Sequence, residues 1–367
     1  MLLCCFAAFL FFEERGLAPV TTAPPILSVR HLTTRFRTDR GIVTAVDDVS
    51  FDLYAGETLG IVGESGCGKT VTSKSIMRLL PERTTIIDSG SQIMFEGINL
   101  ATADERAMRK VRGDRIAMIF QEPMTSLNPV FTIGWQLDEA LKYHTDLGRG
   151  GRRARAIEML KLVEMPNAER RIDEYPHQLS GGMRQRVMIA MALCCEPDIL
   201  IADEPTTALD VTIQAQILSL MESLRKRLGT AIILITHNLG VVAQVCDRVA
   251  VMYAGRVIEV AGVHRLFHSP QHPYTRALLD SIPRAGRKVY GRRLPTIEGI
   301  VPGLFELPTG CRFSDRCSRS QPLCRENEPR LLPVEGEGEA HLVRCHFPLG
   351  GPAPGPVALT TSVGARP

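Results

Sequence analysis

The sequence predicts an α/β protein with a largely parallel sheet, and three observations carry that prediction. The apolar run Leu59-Gly60-Ile61-Val62 is followed by Gly63-Glu64-Ser65-Gly66-Cys67-Gly68-Lys69-Thr70 and then by a helix-like segment, Val71–Leu80, closed by Pro81. Ile199–Ala202 and Ala231–Thr236 are short apolar strands with a helical segment between them, capped by Asp210 and stopped by Gly229. Ile26–Phe36 and Val43–Leu53 alternate apolar and polar residues around Thr38-Asp39-Arg40-Gly41, the pattern of an antiparallel hairpin. Strands alternating with helices give a parallel core, to which the N-terminal pair adds an antiparallel part.

A chain of 367 residues can bury one large core and carry a smaller appended unit. Its 44% hydrophobic and 23% charged content is that of a soluble globular protein, and a net charge of +3 is too small to argue for a nucleic-acid partner. Leu2–Phe12 is apolar but too short to span a bilayer. It lacks a basic leader and is followed by Glu13-Glu14, so residues 1–25 are read as a disordered extension, with a weak membrane contact as the alternative. No spanning helix is expected, so any membrane role is peripheral.

From Ala101 to about Leu193 the sequence is helix-forming, charged and Met-rich, broken at Pro123, Pro129, Pro166 and Pro176; a mostly helical insert is expected. Arg149–Arg155 holds four arginines without interleaved aromatics, a solvated helix face or loop rather than a nucleic-acid surface. Val249–Tyr253 and Val257–Val260 flank the turn Ala254-Gly255-Arg256 as a hairpin. Beyond Pro270 the chain turns irregular, with a basic linker at Arg284–Arg293, a proline-rich stretch at Leu294–Phe347, and a Pro/Gly/Ala-rich end at Gly350–Pro367 that is expected to be disordered.

The loop at 63–70 satisfies G-x-x-x-x-G-K-[ST]. Glycines let backbone N–H groups turn inward around phosphate oxygens, and the following helix end adds partial positive charge. Gly63, Ser65, Gly66, Cys67, Gly68, Lys69 and Thr70 are the candidate nucleotide-binding residues. Lys69 would reach the β- and γ-phosphates, and the Thr70 hydroxyl would take a Mg²⁺ position. Phe36 is the aromatic best placed to stack on an adenine ring; a half-buried strand aromatic is the equally good structural reading. Asp203, ending an apolar strand, suits a carboxylate that holds Mg²⁺, and its neighbour Glu204 suits one that polarises an attacking water. His237, ending the next strand, can bridge that water or the γ-phosphate to Glu204. Ser180-Gly181-Gly182 opens an apolar-periodic helix, a second anion-binding helix end. One nucleotide does not need two such ends, so a head-to-tail dimer is expected, each copy covering the nucleotide on its partner.

Taken in order, GESGCGKT, Gln121 in Phe120-Gln121-Glu122-Pro123, LSGGMRQR at 179–186, ILIADEP at 199–205, Ala208-Leu209-Asp210 and His237 resemble the motifs of ABC-transporter ATPases. The resemblance spans about residues 26–280. It implies an ABC nucleotide-binding domain of the P-loop NTPase class over 26–275: a RecA-like parallel core, an antiparallel β subdomain and a helical subdomain over about 101–193. It also implies ATP-driven dimer closure, hydrolysis and reopening, with Gln121 linking the Mg²⁺ site to membrane subunits and Asp210 among the ATP-site residues. Gln121–Pro129, Tyr175–Arg186 and His272-Pro273-Tyr274-Thr275 further resemble the ATP-binding subunits of dipeptide and oligopeptide importers, a family that includes nickel and glutathione systems. The partners so implied are a second ATPase subunit, identical or homologous, two permeases and, indirectly, a substrate-binding protein, at the cytoplasmic face of a bacterial inner membrane. A soluble ABC ATPase without a transport partner is the alternative; a single cassette and the importer-like tail argue against it.

Cys4, Cys5, Cys67, Cys194, Cys195 and Cys246 are scattered and read as reduced thiols. Cys311, Cys317, Cys324 and Cys345 cluster as C-x5-C-x6-C-x20-C, within a module expected over 276–350. The run from Gly310 to Cys317 resembles the importer family's C-terminal module, where some members carry a [4Fe–4S] cluster. Four thiolates suit that cluster or a four-cysteine zinc site; the absence of a C-x2-C pair ranks zinc second, and unligated cysteines third.

Overall fold

The computed structural model describes residues 23–121, 126–207, 209–282, 296–336 and 338–350. Strands β1 (Leu27–Thr38) and β2 (Gly41–Leu53) lead into β3 (Thr58–Val62), α1 (Lys69–Ile76), β4 (Thr85–Ile87), β5 (Gln92–Phe95) and β6 (Ile98–Asn99). Next come α2 (Glu105–Val111), β7 (Ile116–Ile119), α3 (Ile133–His144), α4 (Arg149–Leu162), α5 (Ala168–Arg171) and α6 (Gly181–Leu193). They are followed by β8 (Ile199–Asp203), α7 (Val211–Leu228), β9 (Ala231–Ile235), α8 (Leu239–Val245), β10 (Arg248–Tyr253) and β11 (Arg256–Gly262). Helices α9 (Val263–His268), α10 (Pro273–Asp280) and α11 (Pro322–Glu326) precede β12 (Leu332–Val334) and β13 (Gly338–Val343).

β3, β8 and β9 are buried at every residue, which is why their sequences are continuous apolar runs rather than alternating ones. They belong to a sheet ordered β12-β13-β11-β10-β3-β9-β8-β7. The five strands from β10 to β7 run parallel, and β11, β13 and β12 are antiparallel additions. Side chains alternate between the two faces. Leu59, Ile61, Ile199, Ile201, Ile233 and Ile235 join one core cluster, while Leu200, Ala202, Ile232, Leu234, Val249 and Val251 join the other. Each of these leucines, isoleucines and valines contributes about 1.5–3 kcal/mol on burial. The second sheet, β2-β1-β5-β6 with β4 also on β1, contains the expected hairpin, closed at Thr38 opposite Gly41.

The α7 boundaries follow the sequence: Asp210 accepts from Ile213 N–H at 3.0 Å, and Gly229 closes the helix at φ 72°. Helix α1 differs. It starts inside the phosphate loop and ends at Ile76, because Arg78 turns into the left-handed region and Leu79 N–H bonds back to the Lys74 carbonyl. The helical stretch expected over 101–193 is interrupted by β7, which pairs parallel with β8. Arginines 152, 153 and 155 of α4 pair with Asp138, Asp173, and Glu158 with Glu196, respectively, a solvated, ion-paired face.

The C-terminal stretch is not wholly irregular. β13 adds to β11, and β12 to β13. Buried Glu259 on β11 accepts from the backbone N–H groups of Gln271 (2.6 Å) and His272 (2.9 Å) and pairs with His341 of β13 at 2.8 Å. The Leu2–Phe12 run, the linker Arg284–Arg293, the end beyond residue 350, and Glu122–Thr125 and Ala208 within the motifs lie outside the described residues.

Candidate active site at the phosphate loop

Because β3, β8 and β9 are parallel and in register, with Ile61 and Asp203 both opposite Ile235, their C-terminal ends fall at one sheet edge. The phosphate loop leaves β3 there, Glu204 follows β8, and His237 follows β9. Ligands of open parallel sheets bind at such an edge.

The loop is held tightly from below. Gly63 has φ 154°, and a Cβ there would lie 2.2 Å from the Met252 carbonyl oxygen, so a side chain is excluded. Lys69 is buried, and its Nζ donates to the carbonyls of Gly63 (2.8 Å) and Glu64 (3.1 Å). Thr70 Oγ1 donates to Asp203 Oδ1 at 3.2 Å. Burial raises the Asp203 carboxyl above its ordinary range, with the Thr70 bond and two lysines opposing.

The two adjacent carboxylates are aimed apart by the backbone. Asp203 stays on β8, whereas Glu204 takes φ 47°, a left-handed conformation that non-glycine residues hold only where the surroundings enforce it. Glu204 Oε2 accepts from Thr207 Oγ1 at 2.9 Å and from Gln121 Nε2 at 3.2 Å, and Oε1 lies 3.2 Å from His237 Nδ1. Burial pushes this carboxyl up, but the His237 and Thr207 bonds outweigh it and hold it below the usual glutamate range. Five of the candidate residues, Thr70, Gln121, Asp203, Glu204 and His237, thus form two short hydrogen-bonded chains beside Lys69.

Ser180, Gly181 and Gly182 lie elsewhere. Ser180 caps α6, accepting from Met183 N–H at 3.4 Å. Gly181 and Gly182 pack toward Leu209 and Ile213, and a Cβ on Gly182 would meet Ile213 at 3.0 Å. Ser180 and Gly181 are exposed, as is the cap residue Asp210. Phe36 is half-buried on β1, in register with Val43 and Thr85.

This geometry agrees with the relationships of the chain. The family model for the ABC transporter matches residues 46–207. The dipeptide transport ATP-binding protein DppD of Bacillus subtilis is 51% identical over 321 residues, 87% of this chain and 94% of that protein. This chain belongs to the ATP-binding subunits of ABC transporters. The corresponding protein of Haemophilus influenzae is 47% identical over 88% of this ABC subunit and 96% of its own length. A dimeric ATP-binding cassette in a post-hydrolysis state with ADP and Pi superposes with a TM-score of 0.57 at 28% identity, covering 65% of this chain and 98% of that one. The subunit is therefore an ATPase that works on ATP with Mg²⁺.

A second family model, the C-terminal region of oligopeptide/dipeptide transporters, matches residues 258–324 of the subunit. Here Cys311, Cys317, Cys324 and Cys345 line one cavity of about 20 Å³, walled also by His272 and Phe313. That is somewhat more than the space one water needs. All four are free thiols. Burial pushes Cys311 up to about 12 and Cys345 up to about 11, with neighbouring thiols acting in the same direction. Among the described residues no group of three or more His, Cys, Asp or Glu is arranged around a single ion.

Two further groups meet the loop. Tyr274 Oη accepts from Glu64 N–H at 3.0 Å, and Arg316 pairs with the Glu64 carboxylate at 2.8 Å. In the sequence His272-Pro273-Tyr274 stands out only as part of the family resemblance, and nothing local marks Arg316.

Proposed function

We propose that this subunit powers a bacterial importer of dipeptides or oligopeptides, and that the sheet-edge constellation is its catalytic site. The convergence of Lys69, Thr70, Asp203, Glu204, Gln121 and His237 supports that reading. Backbone N–H groups from Gly63 to Thr70, with Lys69 Nζ, bind the phosphates, and Phe36 stacks on the adenine. Thr70 Oγ1, Asp203 and Gln121 offer oxygen donors suited to a hard divalent cation. The Mg²⁺ they would hold supplies charge neutralisation at the transferring phosphoryl group. Glu204, ionised and aimed away from Asp203, polarises the attacking water and accepts its proton, while His237 Nδ1 orients the carboxylate. The Ser180-Gly181-Gly182 end, exposed at Ser180 and Gly181, and Asp210 face a second ATPase subunit, so that dimer closure completes each site.

The peptide substrate is supported by the C-terminal match and by the names of the relatives. Among the described residues no helix is long and apolar enough to cross a membrane. This fits a peripheral subunit on the cytoplasmic face of the inner membrane, bound to two permeases. The test is uptake of a labelled dipeptide by cells lacking this chain: wild type should restore it and Lys69→Ala should not. Restored nickel or glutathione uptake without peptide uptake would overturn the substrate assignment.

We further propose that the four cysteines hold a [4Fe–4S] cluster. The reading rests on the likeness of the Gly310–Cys317 run to the importer family's C-terminal module and on the four cysteines lining one cavity. The bound group would hold the four sulfurs as thiolates, against the burial that raises Cys311, Cys317 and Cys345. Anaerobically purified protein should carry about four irons per chain, lost in Cys324→Ser. One zinc without iron would replace the cluster by a zinc site, and neither metal in active protein would remove the metal reading.

A further inference from the structure

The cysteine-bearing module reaches the phosphate loop directly. Arg316, adjacent to Cys317, donates from Nη1 to Glu64 Oε2 at 2.8 Å and from Nη2 to Glu64 Oε1 at 3.1 Å. Its remaining donors are also engaged: Nε with the Glu298 carbonyl at 2.9 Å, Nη1 with Tyr253 Oη at 3.3 Å, and Nη2 with the Ile297 carbonyl at 3.3 Å. All five N–H groups of the guanidinium are thereby used. The Arg316 side chain is 5% exposed and that of Glu64 29%, so the guanidinium end of the pair is shielded from solvent while the carboxylate end is partly open to it. Two parallel bonds fix a carboxylate in orientation as well as position, which an ammonium cannot do.

Glu64 is the second residue of the loop, and its main chain is bound on both sides. Its N–H donates to Tyr274 Oη at 3.0 Å, and its carbonyl accepts from Lys69 Nζ at 3.1 Å. A second connection runs parallel to the first. Arg312, adjacent to Cys311, donates to the Ala254 carbonyl and to Asp47. The next residue, Gly255, donates its N–H to the Cys67 carbonyl at 3.0 Å. Between the two arginines, Phe313 sets its ring edge-on to Tyr253 and Tyr274, at 5.2 and 5.4 Å. Arg344, adjacent to Cys345, bonds Asp48 at 3.1 Å and the Val257 carbonyl at 3.0 Å. Three of the four clustered cysteines thus have a sequence neighbour that grips the nucleotide-binding part of the chain.

We propose that Arg316 is a positioning residue for the phosphate loop: it fixes Glu64, and through the Glu64 main chain the aim of Lys69 and the loop N–H groups, so that the cysteine module sets nucleotide affinity. The inference rests on the loop binding ATP. A staple that merely kept the tail attached would change thermal stability but not affinity for nucleotide.

The test compares full-length wild type with Arg316→Lys, Arg316→Gln, Glu64→Gln and the double variant Glu64→Gln/Arg316→Gln. Magnesium–ADP affinity is measured by equilibrium titration, with steady-state ATPase kinetics alongside. Each single change should weaken ADP binding about tenfold, a coupling expected of contacting charges. The double variant should bind no more weakly than the worse single one. KM should rise by the same factor while kcat moves less than about twofold, the signature of lost uniform binding. Arg316→Lys should rescue little. ADP affinities within twofold of wild type, or additive losses in the double variant, would overturn the proposal. If Arg316→Gln fails to fold, Arg316→Lys and Glu64→Gln decide. A wild type that bound no ADP would instead overturn the nucleotide-site reading.

Discussion

The phosphate edge and the cysteine cavity both bury ionisable side chains, and they treat them in opposite ways. At the edge, Glu204 is surrounded by donors, Thr207, Gln121 and His237, and the His237 and Thr207 bonds overcome the upward push of burial and hold the carboxyl below its usual range. In the cavity, burial prevails and pushes Cys311 and Cys345 up; Glu328 and neighbouring thiols act in the same direction on Cys311, and neighbouring thiols, opposed by Arg319, on Cys345. A side chain that accepts a proton during turnover needs a poised, partly solvated charge. A side chain that ionises only on binding a metal is better kept neutral and dry. Tyr253, Tyr274 and Phe313 lie between the regions, and Arg316 spans them.

The sharpest way to break this contrast is to remove charge at the edge. Lys69→Ala should weaken ATP binding by about 100-fold, since truncating one member of a buried charge contact costs several kcal/mol; an equilibrium titration checks this. Gly63→Ala should be next, at about 3 kcal/mol of stability by denaturant unfolding, because its Cβ would meet the Met252 carbonyl oxygen at 2.2 Å.

Two pH experiments separate the regions further. In the proposed role Glu204 acts ionised with its pKa held down, so activity should be present above that lowered pKa and lost as pH falls through it. His237→Ala removes a cause of the lowering and should move the acid limb of kcat to higher pH. In the cavity burial raises Cys311, Cys317 and Cys345, so loading of the proposed metal should release protons and weaken as pH falls, seen as acidification of a weakly buffered solution. The smallest effect is expected away from both, where Asp210→Ala should cost about 1 kcal/mol through its cap on α7, measured by thermal melting.

What could be read from sequence divides along the same line. The phosphate loop, Asp203-Glu204 and Ser180-Gly181-Gly182 are contiguous, and each motif carries its own chemical reason, so they could be placed before any coordinates. The caps of α7 were legible because Asp210 and Gly229 act locally. Strand β7 was not, because four apolar residues inside a helix-rich stretch fit either element. β12 was hidden by Pro333, which a strand tolerates only at an edge, its position here beyond β13. Arg316 and Glu64 are 252 residues apart; only the folded chain shows that they meet.

In the proposed mechanism Glu204, aimed away from Asp203 by its left-handed backbone, performs the proton step, and nucleotide binding rests on other residues. The most direct measurement is ATP binding and turnover by full-length Glu204→Gln beside wild type. The account predicts ATP affinity within about twofold of wild type and a kcat lower by about 10²- to 10³-fold. Wild-type turnover by that variant would contradict it.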